Sequence, residues 1–163
     1  MAGKKPKLRV ISLGGLQEIG KNMTVFEYDK DIIIVDCGLA FPEDEMLGID
    51  LVIPDISYLE KNKDKVRGIV LTHGHEDHIG SVPYIMKKIN VPVYGTKLTL
   101  GLVESKLQEH NISKENLKLV NAGEIIKTKH FSVEYIRACH SIPDSVSFGI
   151  KTPVGNIIFT GDF

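Results

Sequence analysis

Apolar residues along this chain come in short runs separated by turn residues, with two longer stretches at helical period. Residues 8–13 read as a strand closed by Gly14-Gly15. Residues 23–28 and 32–35 flank Asp29-Lys30-Asp31, a composition suited to a hairpin turn. The run 32–35 is apolar without a break, as in a strand covered on both faces, and so is 66–71. Between them, residues 39–57 follow no period and carry Glu43, Asp44, Glu45 and Asp50, which predicts an irregular acidic segment. Helices are predicted over 79–89 and 97–109, with a short strand at 91–94 between them. Strands at 117–120, 131–138, 148–151 and 156–160 follow, the last two joined by a turn at Pro153-Val154-Gly155. No repeat, linker or low-complexity stretch interrupts the pattern. Strands first, then strands with helices inserted, predict sheets covered by helices, in the α/β (α+β) class.

The polar residues that break this pattern fall at particular places. Asp36, His73, His140 and Asp162 each stand at or just past the C-terminal end of an apolar strand. Strand ends converge on one rim of a sheet, and the strands hold such residues rigidly. The densest group is His73-Gly74-His75-Glu76-Asp77-His78. Imidazole and carboxylate are ligands of zinc and its neighbours. His73 and His75 alternate along an extended turn and can share one ion. Asp77 and His78 open the next helix and can reach a second ion nearby, with Gly74 permitting the tight turn between the pairs. His140 would complete a three-histidine set with His73 and His75. Asp162, with two carboxylate oxygens, can bridge two cations.

Asp36 has no metal role by spacing. It is either the acceptor for a ligand histidine's N–H or a cap on its own strand. Glu76 faces a similar choice, between supporting the ligands and facing solvent. His110 and His130 read as surface residues, and Cys37 and Cys139 as small buried hydrophobes. The competing reading of the motif, a solvated His-rich turn, leaves the strand-end His140 and Asp162 without a purpose.

Composition narrows the class further. Of 163 residues, 42% are apolar and 25% charged, the range of one globular domain with a real core. The formal net charge of -1 offers no overall field to draw in nucleic acid. Only Lys4, Lys5, Lys7 and Arg9 cluster, so residues 1–7 are read as a short basic tail and 8–163 as the folded portion. No apolar run reaches ~18 residues, so no membrane association is expected. No apolar segment resembling a signal peptide follows Met1. Two lone cysteines without an export signal predict reduced thiols and a cytoplasmic location. A Gly-x-Ser-x-Gly nucleophile motif is missing, and Gly14-Gly15 with Gly20 lacks the Lys-Ser/Thr ending of a phosphate loop.

At these residues the chain resembles the metallo-β-lactamase superfamily. His73-Gly74-His75-Glu76-Asp77-His78 is similar to its His-x-His-x-Asp-His signature, and His140 and Asp162 fall where it places its next histidine and its bridging aspartate. The flanks are more specific. The run 14–22 (Gly14-Gly15 through Lys21-Asn22), the run 36–44 (Asp36-Cys37-Gly38 through Glu43-Asp44), residues 48–55 and residues 140–145 resemble the ribonuclease J family of the β-CASP group. The resemblance covers almost the whole chain.

It implies the first part of a metallo-β-lactamase αββα sandwich, in a protein whose β-CASP insertion, last histidine ligand, 5′-phosphate pocket and C-terminal parts would lie beyond residue 163. It implies a metal-dependent ribonuclease of RNA processing and decay, cutting internally and from 5′ to 3′. The protein would assemble as a dimer or tetramer, and the piece by itself would be inactive. Two Zn2+ ions, or Mn2+ or Mg2+, would be held by His73, His75, Asp77, His78, His140 and Asp162. A hydroxide between them would attack phosphorus, with Asp77 and Asp162, and Asp36 behind them, as the catalytic carboxylates. Some relatives add a structural Ca2+, which would use the Gly48 carbonyl and Asp50. Two alternatives stand beside this. One is a hydrolase of a small ester, thioester or lactam; the other is a non-catalytic RNA-binding or scaffold module that has kept the ligands.

Overall fold

The unbroken apolar run at 32–35 decides the layering. In a strand, successive side chains point to opposite faces. Ile32 and Ile34 enter one core and Ile33 and Val35 another. A strand that is apolar on both sides must lie inside the molecule, and this one does.

The fold is that of a computed structural model, which describes residues 6–43 and 46–163. Lys4 and Lys5 of the basic cluster and Asp44 and Glu45 of the acidic segment lie outside the described residues. A six-stranded sheet has the order β1-β2-β3-β4-β5-β6. Its strands are β1 (Leu8–Gly14), β2 (Met23–Tyr28), β3 (Asp31–Val35), β4 (Val66–Val70), β5 (Val93–Gly95) and β6 (Leu117–Leu119). The hairpins β1–β2 and β2–β3 are antiparallel, and from β3 onward the pairs are parallel. A second, antiparallel sheet runs β10-β9-β8-β7. It is made of β7 (Ile125–Lys127), β8 (Ser132–Arg137), β9 (Val146–Thr152) and β10 (Gly155–Phe159).

Two cores follow from this. Ile32, Ile34, Ile69 and Val93 of the first sheet pack against the helices α1 (Ser57–Lys61), α2 (Glu76–Ile79), α3 (Val82–Met86) and α4 (Lys97–Glu109) through Leu59, Ile79, Ile85, Val103 and Leu107. Ile33, Val35 and Val70 pack on Tyr135, Phe148 and Ile150 of the second sheet and on Phe131 just before β8. Each such fully buried side chain contributes ~1.5–3 kcal/mol relative to exposure. The layers are therefore helices, sheet, sheet, an α+β sandwich.

The sequence-predicted helix over 79–89 is corrected. Two short helices stand in its place, α2 beginning earlier at Glu76, with a break at Gly80-Ser81. The reason is competition for carbonyls. Asp77 O accepts the Asn22 N–H, and His78 O accepts the Cys37 N–H, so neither is left for the next helical turn. The Ser81 N–H turns instead to Cys37 O, and Pro83 has no N–H to give. In addition, α1 and β7 form in stretches where no element was expected.

Candidate metal centre

The parallel strands place their ends on one rim. Asp36 follows β3 and His73 lies three residues past β4, while His140 sits in the β8–β9 loop and Asp162 lies three residues past β10. The two sheets are joined at this rim where the Val146 N–H donates to Thr72 O. The His140 loop is anchored to α4. The Thr96 hydroxyl donates to Asp144 O at 2.9 Å, and Asp144 Oδ2 accepts the Leu98 N–H at 3.3 Å.

His73, His75 and His140 converge. His75 Nδ1 lies 3.0 Å from His73 Nε2 and 3.3 Å from His140 Nε2. A tetrahedral zinc with Zn–N of ~2.05 Å spaces its ligand nitrogens ~3.3 Å apart, so these three rings suit one cation. A second group is His73, His78 and Asp162, with ligand atoms all within 4.8 Å of one another. Asp162 Oδ2 stands between the two groups, 3.5 Å from His78 Nε2 and 3.7 Å from His140 Nε2. Asp77 Oδ2 borders the second group at 3.5 Å from His78 Nε2.

Asp36 is buried, in the left-handed region at φ 60°, which Asp tolerates better than most residues. Its Oδ1 accepts the Thr72 N–H at 2.8 Å. Its Oδ2 accepts the Thr72 hydroxyl at 2.7 Å and the His78 Nδ1–H at 2.8 Å. Because the Thr72 hydroxyl spends its proton on Asp36, it is an acceptor for the His73 Nδ1–H at 3.0 Å. One buried carboxylate thus puts the protons of two histidines on Nδ1 and leaves both Nε2 lone pairs facing the cluster. Thr72 was missed in the sequence; the only signal was its place directly before the His-rich turn.

The two buried rings differ electrostatically. Burial pushes His73 down to about 4, the charge of His78 adding to this against the pull of Asp36. Burial also lowers His78, but the hydrogen bond to Asp36 and the charges of Asp36, Asp77 and Asp162 outweigh it and raise this ring above the ordinary value.

Other sequence expectations fared differently. Glu76 takes the solvent-facing alternative: it is exposed and pairs with Lys106 of α4. Cys37 is buried, and burial holds its thiol well above the usual range. Cys139, expected to be buried, is exposed, because it lies past the end of β8 where the chain leaves the sheet. His110 lies partly exposed against Tyr84. His130, expected at the surface, is largely covered: its ring tilts on Tyr28, and Nδ1 is buried 3.5 Å from Asp31. Gly48 and Asp50 are exposed and belong to neither cation-sized group found among the described residues.

Comparison with known proteins bears on the family. The model of the metallo-beta-lactamase superfamily matches residues 17–163. Ribonuclease J2 of Bacillus subtilis (strain 168) is 52% identical over 157 residues, which are 96% of this chain and 28% of that protein. Ribonuclease J 2 of Staphylococcus aureus (strain NCTC 8325 / PS 47) is 48% identical over 98% of this chain and 29% of its own length. The chain thus spans under a third of the length of these curated relatives. A solved structure of a protein of unknown function from Enterococcus faecalis V583 superposes with a TM-score of 0.76 over 96% of this chain and 44% of its own, at 21% identity, a likeness of fold.

Proposed function

Because the chain belongs to the metallo-β-lactamase superfamily, we propose that it carries the cation-binding rim of a hydrolytic ribonuclease, with residues 8–163 the opening portion of its metallo-β-lactamase domain. The observation that carries the reading is Asp162 Oδ2, placed between a three-histidine group and His78. The names of the ribonuclease J relatives supply the substrate class, RNA. By the same likeness the intact protein cuts internally and from 5′ to 3′, works in the cytoplasm and forms a homo-oligomer.

His73, His75 and His140 would hold one divalent cation, and Asp77 and His78 the other, with Asp162 shared. Imidazole and carboxylate together suit zinc best and Mn2+ or Mg2+ less well. When bound, such a pair supplies Lewis acidity that generates a hydroxide nucleophile near neutral pH and steadies charge on phosphoryl oxygens. Asp36 keeps the His78 proton on Nδ1 and, through the Thr72 hydroxyl, that of His73 as well. A groove of about 740 Å3 alongside Asp77, lined by Ile19, Lys21 and Phe41, offers room on that side of the site.

Water as nucleophile leaves the RNA 2′-hydroxyl out of the reaction. End-labelled RNA digested by the full-length protein is expected to yield 5′-phosphate and 3′-hydroxyl ends. A 2′,3′-cyclic phosphate would refute the reading.

A further inference from the structure

Asn22 stands just before β2, between the strand-end segment that follows Asp36 and the short helix that carries Asp77 and His78. Its backbone is held on both sides. The N–H donates to Asp77 O at 3.0 Å, and the carbonyl accepts the Gly38 N–H at 2.9 Å. Its side-chain nitrogen then lies 3.1 Å from each of Asp77 O, Asp77 Oδ2 and His78 Nε2. With the His78 proton on Nδ1, all three neighbours are acceptors, so the nitrogen and not the oxygen of the amide belongs on this side. The oxygen rests against Gly15, where a Cβ would come within 2.5 Å of it. The same residue lines a cavity of about 280 Å3 together with Asp36, His78 and Asp162.

We propose that Asn22 is a positioning residue for the second cation position, its amide holding the Asp77 carboxylate and the His78 imidazole towards one another. This rests on the two-cation reading above. Asp77 is part-exposed and has rotamers to lose on binding, and a fixed donor selects one in advance. When a cation takes the His78 Nε2 lone pair, the amide gives up that contact and keeps Asp77. Outer partners of this kind set affinity by ~10–100-fold.

The test is a cobalt(II) titration of the metal-stripped full-length protein, followed by visible absorption and calorimetry. Wild type is expected to take up two equivalents. In Asn22→Ala, which keeps both backbone bonds, the first equivalent binds as in wild type. The second weakens ~10–100-fold, and its absorption bands shift. Asn22→Leu fills the same volume without a donor and should behave alike. A second equivalent within twofold of wild type in either variant overturns the proposal. So does equal weakening of both equivalents, or failure of both variants to fold, since each would make the role one of general structure. Uptake of a single equivalent by wild type would instead remove the two-cation reading, and this role with it.

Discussion

Replacing Asp36 with Asn changes one atom of a buried side chain and should reverse the protonation of two histidines. Oδ1 would keep its bond from the Thr72 N–H, now 2.8 Å. The new amide nitrogen would face the Thr72 hydroxyl and His78 Nδ1, at present 2.7 and 2.8 Å from Oδ2. A nitrogen there donates where the carboxylate accepts. His78 Nδ1 must then become an acceptor and carry its proton on Nε2, the atom that faces Asp77 and Asp162. The Thr72 hydroxyl, no longer giving its proton to Asp36, turns it towards His73 Nδ1, and His73 inverts as well. A ring protonated at Nε2 cannot offer that atom to a cation.

The expected loss is ~10–100-fold in cation affinity, or ~1.4–2.7 kcal/mol, at the position served by His78, with a smaller loss where His73 serves. Metal-free stability should fall by a comparable amount. Bonds to a charged acceptor become bonds to a neutral amide, ~1–3 kcal/mol in sum. Chelator competition on full-length Asp36→Asn measures the affinity, and nitrogen-15 NMR of the imidazoles reads the tautomers directly. Wild-type affinity at both positions, or rings still protonated at Nδ1, would refute the reasoning.

Two further outcomes are expected. Gly38→Ala would set a Cβ 1.6 Å from the Asp77 carbonyl oxygen, a backbone atom that cannot swing away. Overpacking of ~1–3 kcal/mol or more is expected, with loss of the second cation equivalent, read by thermal melting and cobalt(II) titration. Burial alone would raise the Asp31 carboxyl, but hydrogen bonds from Arg67, Thr128 and the His130 N–H, with the Arg67 charge, outweigh it and hold it below the ordinary value. A depressed folded-state value contributes stability above the unfolded pKa of ~3.9 and loses it as pH falls through the folded value. Asp31→Ala should therefore cost ~2–4 kcal/mol near neutral pH and progressively less near pH ~3, measured by urea unfolding of the metal-free protein.

Much of this molecule is written locally. The unbroken run 32–35 places β3 inside because a strand apolar on both faces has nowhere else to go. The period that predicts a helix over 97–109 is α4 to the residue, since among the described residues no group outside the helix takes a carbonyl of residues 97–105. The six candidate ligands were legible because imidazoles and carboxylates are costly to leave idle at strand ends. What the sequence could not decide are interactions between distant segments. Residues 22 and 37 take the carbonyls of 77 and 78, and so a helix that reads as continuous is cut in two. His140 comes within 3.3 Å of His75 only because the second sheet packs on the first. Asn22 and Thr72 look like ordinary turn residues in the chain. Their partners, Asp77 and His78 for one and Asp36 for the other, lie 55, 56 and 36 residues away, beyond the reach of any local pattern.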